Sequence, residues 1–450
     1  MTTIPVGEVA DLLVTMIRNR CINDGTPDSG HEHRSVETLA TYLGAPGEVF
    51  EPHPGRQSAL YRVPGTHASA PSLTLLGHTD VVPVSAAGWS VDPFEGVRSD
   101  GFIWGRGAVD MLNQTASMAA VFRRYLSGEL SPLPGDLTFL AVADEEAGGK
   151  LGAGHLTANH WDKVATDYVL TEIGAPMLSG GAAPGLPVTV AEKGPHWRTF
   201  RVRGVPGHGS QPYGTRNALV PLAEVITRLA EAPSPVVISD EWRAFVEAWE
   251  PGIQMAVDLI DPDRIDAAID QIAEHDVGFA RWIHACTHMT ISPNTLHAGI
   301  KANVVPDDAM AEIDVRMLPG QETSDLMDHF RKVIGPDVED RVEIGDVESS
   351  LASASPAEGV LWESIGDALE ATVGHRRLLP TLIPVATDAR FFRRRGTLAY
   401  GVGVFDDRVS FGDLLSMFHG HDERVGEVSL GLTVNHLLAT VQRFGVLTSQ

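Results

Sequence analysis

The chain is 450 residues long, more than one ordinary core encloses, and its 34 Lys and Arg against 59 Asp and Glu leave a formal charge of −25. So acidic a surface repels phosphate backbones and anionic lipid, which argues against nucleic acid or a membrane surface as a partner. Cys21 and Cys286 are the only cysteines, so a disulfide scaffold and a multi-cysteine metal site are both excluded.

Near the N-terminus Val6, Val9, Leu13 and Met16 have amphipathic-helix spacing, and Glu8 and Asp11 with no basic start do not suit a signal peptide. No window approaches 18 uninterrupted apolar residues, so a soluble, cytoplasmic protein is expected. Ser72–Leu76, Leu137–Val142 and Asp167–Leu170 read as strands and Met111–Leu126 as a helix. That alternation is the α/β pattern of a mainly parallel sheet with helices on both faces.

Around Lys193–Gly194 the pattern changes. Strands are expected at Trp197–Val202, Met289–Ser292, Met310–Arg316 and Arg341–Ile344, with helices at Asn217–Leu229 and Thr323–Val333. The expected organisation is one α/β domain from residues 1–194 and 350–450, interrupted by an α+β lid of residues 195–349. The lid carries a mostly helical insertion at about 232–285, and Ser349–Ser355 reads as the linker back to a helix over Ala357–Val373.

Four segments place ligand-type side chains directly after an apolar strand or turn, and in open α/β sheets ligands bind at the carboxyl ends of strands. LLGHTDVVP offers His78, with Asp80 close enough to orient it. WGRGAVDMLN ends a glycine-rich turn on Asp110, whose two oxygens can bridge two cations. VADEEAGG sets Asp144, Glu145 and Glu146 in a row, a repulsive arrangement unless cations or protons neutralise it. One of these glutamates can bind metal while the other holds a water. VLTEIG supplies Glu172, and HGHDE adds His419 to Glu423 near the C-terminus. Each piece has a plainer reading: a packed His–Asp pair, a helix N-cap, a solvated acidic loop. Their shared context at strand ends favours a metal centre, and oxygen and nitrogen donors without sulfur suit zinc, cobalt or manganese.

HTDVVP from His78, GRGAVDM from Gly105, DEEAGG from Asp144, Glu172, GHGSQP from Gly207, NVVP from Asn303, TDAR from Thr387 and HGHDE from His419 together resemble one family. It is the metal-dependent amidohydrolase family of aminoacylase, acetylornithine deacetylase, succinyl-diaminopimelate desuccinylase, glutamate carboxypeptidase and carnosine-type dipeptidases. The resemblance runs in order along nearly the whole chain. It implies two zinc ions per chain, with cobalt or manganese as substitutes: His78 and Glu172 on one, Glu146 and His419 on the other, and Asp110 between them. It makes Glu145 the general base and Asp80 the support of His78. It implies a homodimer through the lid, with His208 placed over the other subunit's site. Asn303 and Arg316 would contact substrate, and Arg390 would face a substrate carboxylate.

The implied reaction is hydrolysis of an amide next to a carboxylate, in a dipeptide or N-acyl amino acid, by a hydroxide shared between the zinc ions. The size of the 232–285 insertion favours this peptidase and aminoacylase branch over a compact desuccinylase or deacetylase of amino-acid biosynthesis. A non-catalytic binding homologue is disfavoured because Glu145 accompanies every ligand. A bare acid–base pair of the glycosidase kind is separated by metal content. Leu112 stands where the family often has Lys, and His421 competes with His419 as ligand. HEHR from His31 lacks metal-helix spacing, so His31 and His33 read as surface residues. His284, Cys286 and His288 alternate as on a strand without a fourth ligand, and Ser210 reads as part of the lid turn. Trp89 and Phe94 either shape the pocket rim or pack in the core.

Overall fold

Every residue of the strands Leu73–His78 and Leu137–Val142 is buried, as strands covered on both faces require. The computed structural model describes residues 3–449. Its large sheet runs Glu48–His53, Arg56–Val63, Leu137–Val142, Leu73–His78, Tyr168–Thr171, Leu398–Gly401, Leu186–Glu192 and Ser353–Ala354, with Leu378–Ile383 also pairing with Leu186–Glu192. The centre of this order is parallel and antiparallel strands flank it. Three adjacent parallel strands therefore end side by side, and their last residues lead into His78, Asp144 and Glu172. The helices Val6–Arg18, Leu112–Leu126, Val360–Val373 and Glu427–Leu447 contribute apolar faces to the same core. No helix among the described residues is long and apolar enough to cross a membrane.

The second sheet is antiparallel, in the order Thr290–Ala298, Asp308–Met317, Gly194–Arg203 and Val342–Ser349. Leu219–Glu231 and Thr323–Ile334 pack on it around Phe200 and Phe330, whose rings meet edge to face at 5.0 Å. The chain crosses between the two sheets at Gly194 and again at Ser350, and the crossings touch. A Cβ on Gly194 would lie 2.0 Å from the Ser350 carbonyl oxygen, so only glycine fits there. Beside it the buried Lys193 donates to the Ala285 and His288 carbonyls and to Thr290 Oγ1. Burial pushes its ammonium down to about 7.

The helices of the 232–285 segment differ from the expectation that they belong with the lid. Trp242, Phe245, Trp249, Ile265, Phe279 and Trp282 belong to the core cluster of the large sheet, and none belongs to the lid cluster around Phe200. The helix Asp240–Trp249 lies against the strand Leu378–Ile383. The reason is composition: an aromatic face so large needs an apolar sheet surface to cover it, and the apolar face of the lid sheet is already covered by its own two helices. The same helices overturn the strand expected for His284, Cys286 and His288, which lie on and just after the helix Val277–Thr287. There the rings of His284 and His288 stack one helical turn apart at 4.1 Å.

Trp242 is fully enclosed and donates Nε1–H to the Leu259 carbonyl at 2.8 Å. Trp242→Ala is expected to destabilise the large core by about 3–5 kcal/mol, read as a lowered denaturant midpoint. A change below about 1 kcal/mol would place the segment outside that core.

Candidate metal centre

Three neighbouring strand ends and two distant loops converge on one acidic cluster. His78 ends its strand with Nδ1 3.0 Å from the Asp80 carbonyl oxygen, which leaves Nε2 facing Asp110 Oδ1 at 3.3 Å and Glu172 Oε2 at 3.6 Å. Asp80 thus orients His78 mainly through its main chain, its carboxylate lying farther off at 3.6 Å. The other oxygen of Asp110 faces His419 Nε2 at 3.5 Å, and His419 lies 3.0 Å from Glu146 Oε2. His419, rather than His421, is the imidazole that reaches the cluster from HGHDE. Two three-residue sets, His78–Glu145–Glu172 and His78–Asp110–Glu146, bring donor atoms within 4.8 Å of one another.

These separations fit bound cations. Donors about 2.1 Å from a tetrahedral cation lie roughly 3.4 Å apart, close to the spacings observed. Glu146 Oε1 is buried with no hydrogen-bond partner, an acceptor that a cation would satisfy. Burial, joined by Glu172, Asp388 and Glu146, raises Glu145 well above the usual carboxylate range. Burial likewise raises Glu172, and with Asp110 it takes Glu146 to about 7. His419 is raised as well, to about 10, but by charge rather than burial, because Asp110 and Glu146 accept from its ring. Burial opposes charge on His78, yet Glu172, Asp110 and Asp80 outweigh it and hold its pKa well above 6.5. Such a cluster takes up protons or divalent cations, and cations displace the protons.

The DEE run divides its labour. Asp144 has φ 70° and turns the chain sharply after the strand. Its carboxylate is held by Arg56 at 2.9 Å and by the Leu151 N–H at 2.8 Å, so it braces the loop. Arg56 also grips the fully buried Glu32 at 2.8 Å, which shows that the middle of HEHR is interior. Glu145 and Glu146 then enter a short 3-10 turn whose N–H groups donate to the two oxygens of Asp80 at 3.2 Å each. Asn23 steadies Asp80 from behind at 2.8 Å.

Other braces come from far along the chain. Glu423 accepts the N–H groups of Gly107, Val109 and Asp110 and pairs with Arg106 at 2.6 Å, which fixes the turn that presents Asp110. Glu192 accepts both the N–H and Oγ–H of Thr387 and pairs with Arg393 at 3.2 Å. Asp388 is buried with neither oxygen bonded, and burial raises it to about 8. No spacing in the sequence marks Glu32, Arg56 or Glu192, because their partners lie on remote elements, and Asp388 was legible only as part of TDAR. Glu423 was legible only as part of HGHDE.

The remaining candidates are spread more widely. Arg390 is buried, donates to the Thr387 and Gly148 carbonyls and lies 3.9 Å from Glu145 Oε1. Its recorded bonds differ from those expected of a group facing a substrate carboxylate: one guanidinium nitrogen donates to its own turn at Thr387 and another to Gly148 on the loop that carries Glu145. His208 and Asn303 meet at one edge of the lid, where Gly209 N–H donates to the Asn303 carbonyl at 2.8 Å. The Ser210 N–H donates to His208 Nδ1 at 3.1 Å, which puts the proton of the neutral ring on Nε2. Arg316 holds Asp314 at 2.8 Å and covers Trp197. Among the described residues, none of His208, Asn303 and Arg316 bonds to the acidic cluster. Phe94 is core, and Trp89 lies beneath Arg106.

A family model described as peptidase family M20/M25/M40 matches residues 74–443. The chain is 28% identical over 382 residues to a probable carboxypeptidase S-like 2 of Dictyostelium discoideum, covering 82% of this chain and 70% of the relative. It is 23% identical over 421 residues to human N-fatty-acyl-amino acid synthase/hydrolase PM20D1, covering 91% and 80%. In fold it resembles an M20 family metallo-carboxypeptidase of Sulfolobus solfataricus, with TM-score 0.73, 16% identity, and 98% and 99% of the two chains covered.

Glu423 touches no proposed ligand atom yet holds the backbone that carries Asp110. Glu423→Ala is expected to weaken zinc binding to the metal-stripped protein by about 10–100-fold in calorimetric titration. Unchanged affinity would show that the Asp110 turn holds its shape without it.

Proposed function

The chain belongs to peptidase family M20/M25/M40, a metal-dependent dinuclear peptidase family, and from that premise we propose that it hydrolyses an amide next to a carboxylate in an N-acyl amino acid or a peptide. One observation carries the reading: Asp110 turns one oxygen to His78 and the other to His419, with Glu172 beside the first histidine and Glu146 beside the second. That is the donor arrangement of two cation sites sharing one carboxylate. It leaves Glu145, in the same cluster, as the carboxylate that no ligand role requires. We assign two zinc ions, with cobalt or manganese as substitutes. Such cations would supply Lewis acidity, making water a stronger nucleophile near neutral pH and polarising the scissile carbonyl.

The residues of the chain do the rest. His78 and Glu172 would hold one cation, Glu146 and His419 the other, with Asp110 available to both. Glu145 takes the proton from the attacking water and delivers it to the amine nitrogen as the C–N bond breaks. Asp80 keeps the Glu145–Glu146 turn in place through the two N–H groups it accepts. Arg390, anchored on two carbonyls, positions the Glu145 loop. His208, with its proton on Nε2, is a donor suited to a developing oxyanion. The family resemblance puts this residue over the site of a second subunit in a homodimer formed through the lid, and its lack of any bond to its own cluster among the described residues supports that reading. Asn303 and Arg316, on the same lid, contact the amino-acid half of the substrate.

Glu145→Gln is expected to keep full metal content by elemental analysis while lowering kcat by about 10²–10⁴-fold. Substantial hydrolysis by that variant would remove Glu145 as the base. His208→Ala is expected to lose activity as well, and mixed dimers of the two inactive variants should regain part of it. If mixing restores nothing, His208 does not act across subunits.

A further inference from the structure

Beside the acidic cluster opens a cavity of about 540 Å³, with Asp110, Glu145, Glu146, Glu172 and His419 in its wall. Elsewhere the wall is largely carbon. Trp282 comes from the helix Val277–Thr287; Phe411, Leu414 and Leu415 come from the helix Phe411–Met417, Phe418 follows it, and Ile383 ends a strand of the large sheet. Trp282, Phe411 and Leu414 are buried in the main core, and the Trp282 and Phe411 rings meet edge to face at 5.4 Å, so this wall is set before any ligand arrives. The two helices touch at Gly278 and Gly412, both in the lining, where a Cβ on Gly278 would lie 2.7 Å from Gly412 Cα. That backbone contact closes one side without an intervening side chain. Among the described lining residues, Arg281 is the one cation besides His419, and it is exposed to solvent.

A volume of this order accommodates a whole drug-sized group, far more than an acetyl. What enters must leave water without bringing a charge, because a buried ion lacking a partner is strongly disfavoured. In an N-acyl amino acid the two halves differ in this respect. The amino-acid half carries a carboxylate one carbon from the scissile nitrogen, whereas a saturated acyl half carries no charge. We propose that this cavity is the acyl site and that it selects a long, uncharged aliphatic acyl chain, with Trp282, Phe411 and Leu415 setting the length. The proposal rests on the hydrolase reading above and deepens it by naming the substrate class. Water adds across the C–N bond, its oxygen to the acyl carbon and its protons to the products, and a fatty acid and a free amino acid leave. The segment between the lid strands is then a specificity element: its last helix supplies one wall of the site.

The test uses the zinc-loaded full-length protein and N-acylglycines from acetyl to dodecanoyl, beside N-acetylphenylalanine. Glycine conjugates confine all variable apolar surface to the acyl half. We expect kcat/KM to climb by up to about fourfold per methylene until the cavity is filled. The octanoyl conjugate should exceed the acetyl one by about 100-fold or more. In Leu415→Trp and Ala285→Phe, whose added rings project from the cavity lining, the octanoyl-to-acetyl ratio should fall by about tenfold. Binding of dodecanoate and of acetate to the unmodified protein, by calorimetry, needs neither turnover nor a variant and should favour dodecanoate strongly. A flat or falling chain-length profile overturns the proposal, as does a preference for N-acetylphenylalanine over octanoylglycine or equal binding of the two fatty acids. Loss of hydrolysis on every conjugate with dodecanoate still bound would instead refute the reaction class and leave the apolar site standing.

Discussion

The catalytic half of the molecule is organised by one electrostatic constraint, the crowding of Asp80, Asp110, Glu145, Glu146 and Glu172 around the buried ring of His78. Carboxylates this close repel one another, and burial adds a desolvation cost for every charge kept. The protein meets the demand in layers. Arg56 neutralises Asp144 and Glu32 at the rear, peptide N–H groups solvate Asp80 and Glu423, and two histidines face the centre. What these groups leave uncompensated lies between His78, Asp110 and His419, where the donor atoms are grouped as they would be around divalent cations.

Positions held against such repulsion need rigid backbone, and the recurrent device is a buried carboxylate that gathers N–H groups from another element's turn. Asp80 holds the Glu145–Glu146 turn, Glu423 holds the turn before Asp110, and Glu192 holds the loop before Arg390. Each such bond is charge-assisted, and each links residues more than sixty apart in sequence. Glu192 adjoins Lys193 and Gly194 at the crossing between the sheets, so the support of the Glu145 loop and that crossing share one short stretch of chain. The crossing to the second sheet is thereby close in the chain to the support of Glu145, while His208 at the edge of the lid bonds to no member of the acidic cluster among the described residues.

The helical segment between the lid strands shows how packing overrides chain order. It leaves the lid and returns to it, yet its aromatic face seals the large sheet and places Trp282 and Phe279 against Phe411. The cavity beside the acidic cluster is a consequence of that choice, because its far wall is the seam between this segment and the helix Phe411–Met417. Local pattern could place these residues on helices, but which sheet they cover is decided by which surface remains uncovered.

Local sequence determined the chemistry at the site. His78, Asp110, Glu145, Glu146 and Glu172 each follow an apolar strand or a glycine turn, so the parallel α/β pattern alone gathers them at the carboxyl ends of strands. The strands Leu137–Val142 and Tyr168–Thr171 and the helix Leu112–Leu126 lie where hydrophobic periodicity puts them, to within a residue or two. Tertiary structure decided the roles. The three adjacent acids of DEE look alike in one dimension, and they separate only because Arg56 reaches Asp144 from another strand while Asp80 turns the next two inward. Arg390 looks free in TDAR and becomes a brace once the Gly148 carbonyl lies over it. Periodicity records which side of an element is apolar, whereas the partner of a buried charge and the surface a helix covers depend on contacts that no stretch of sequence contains.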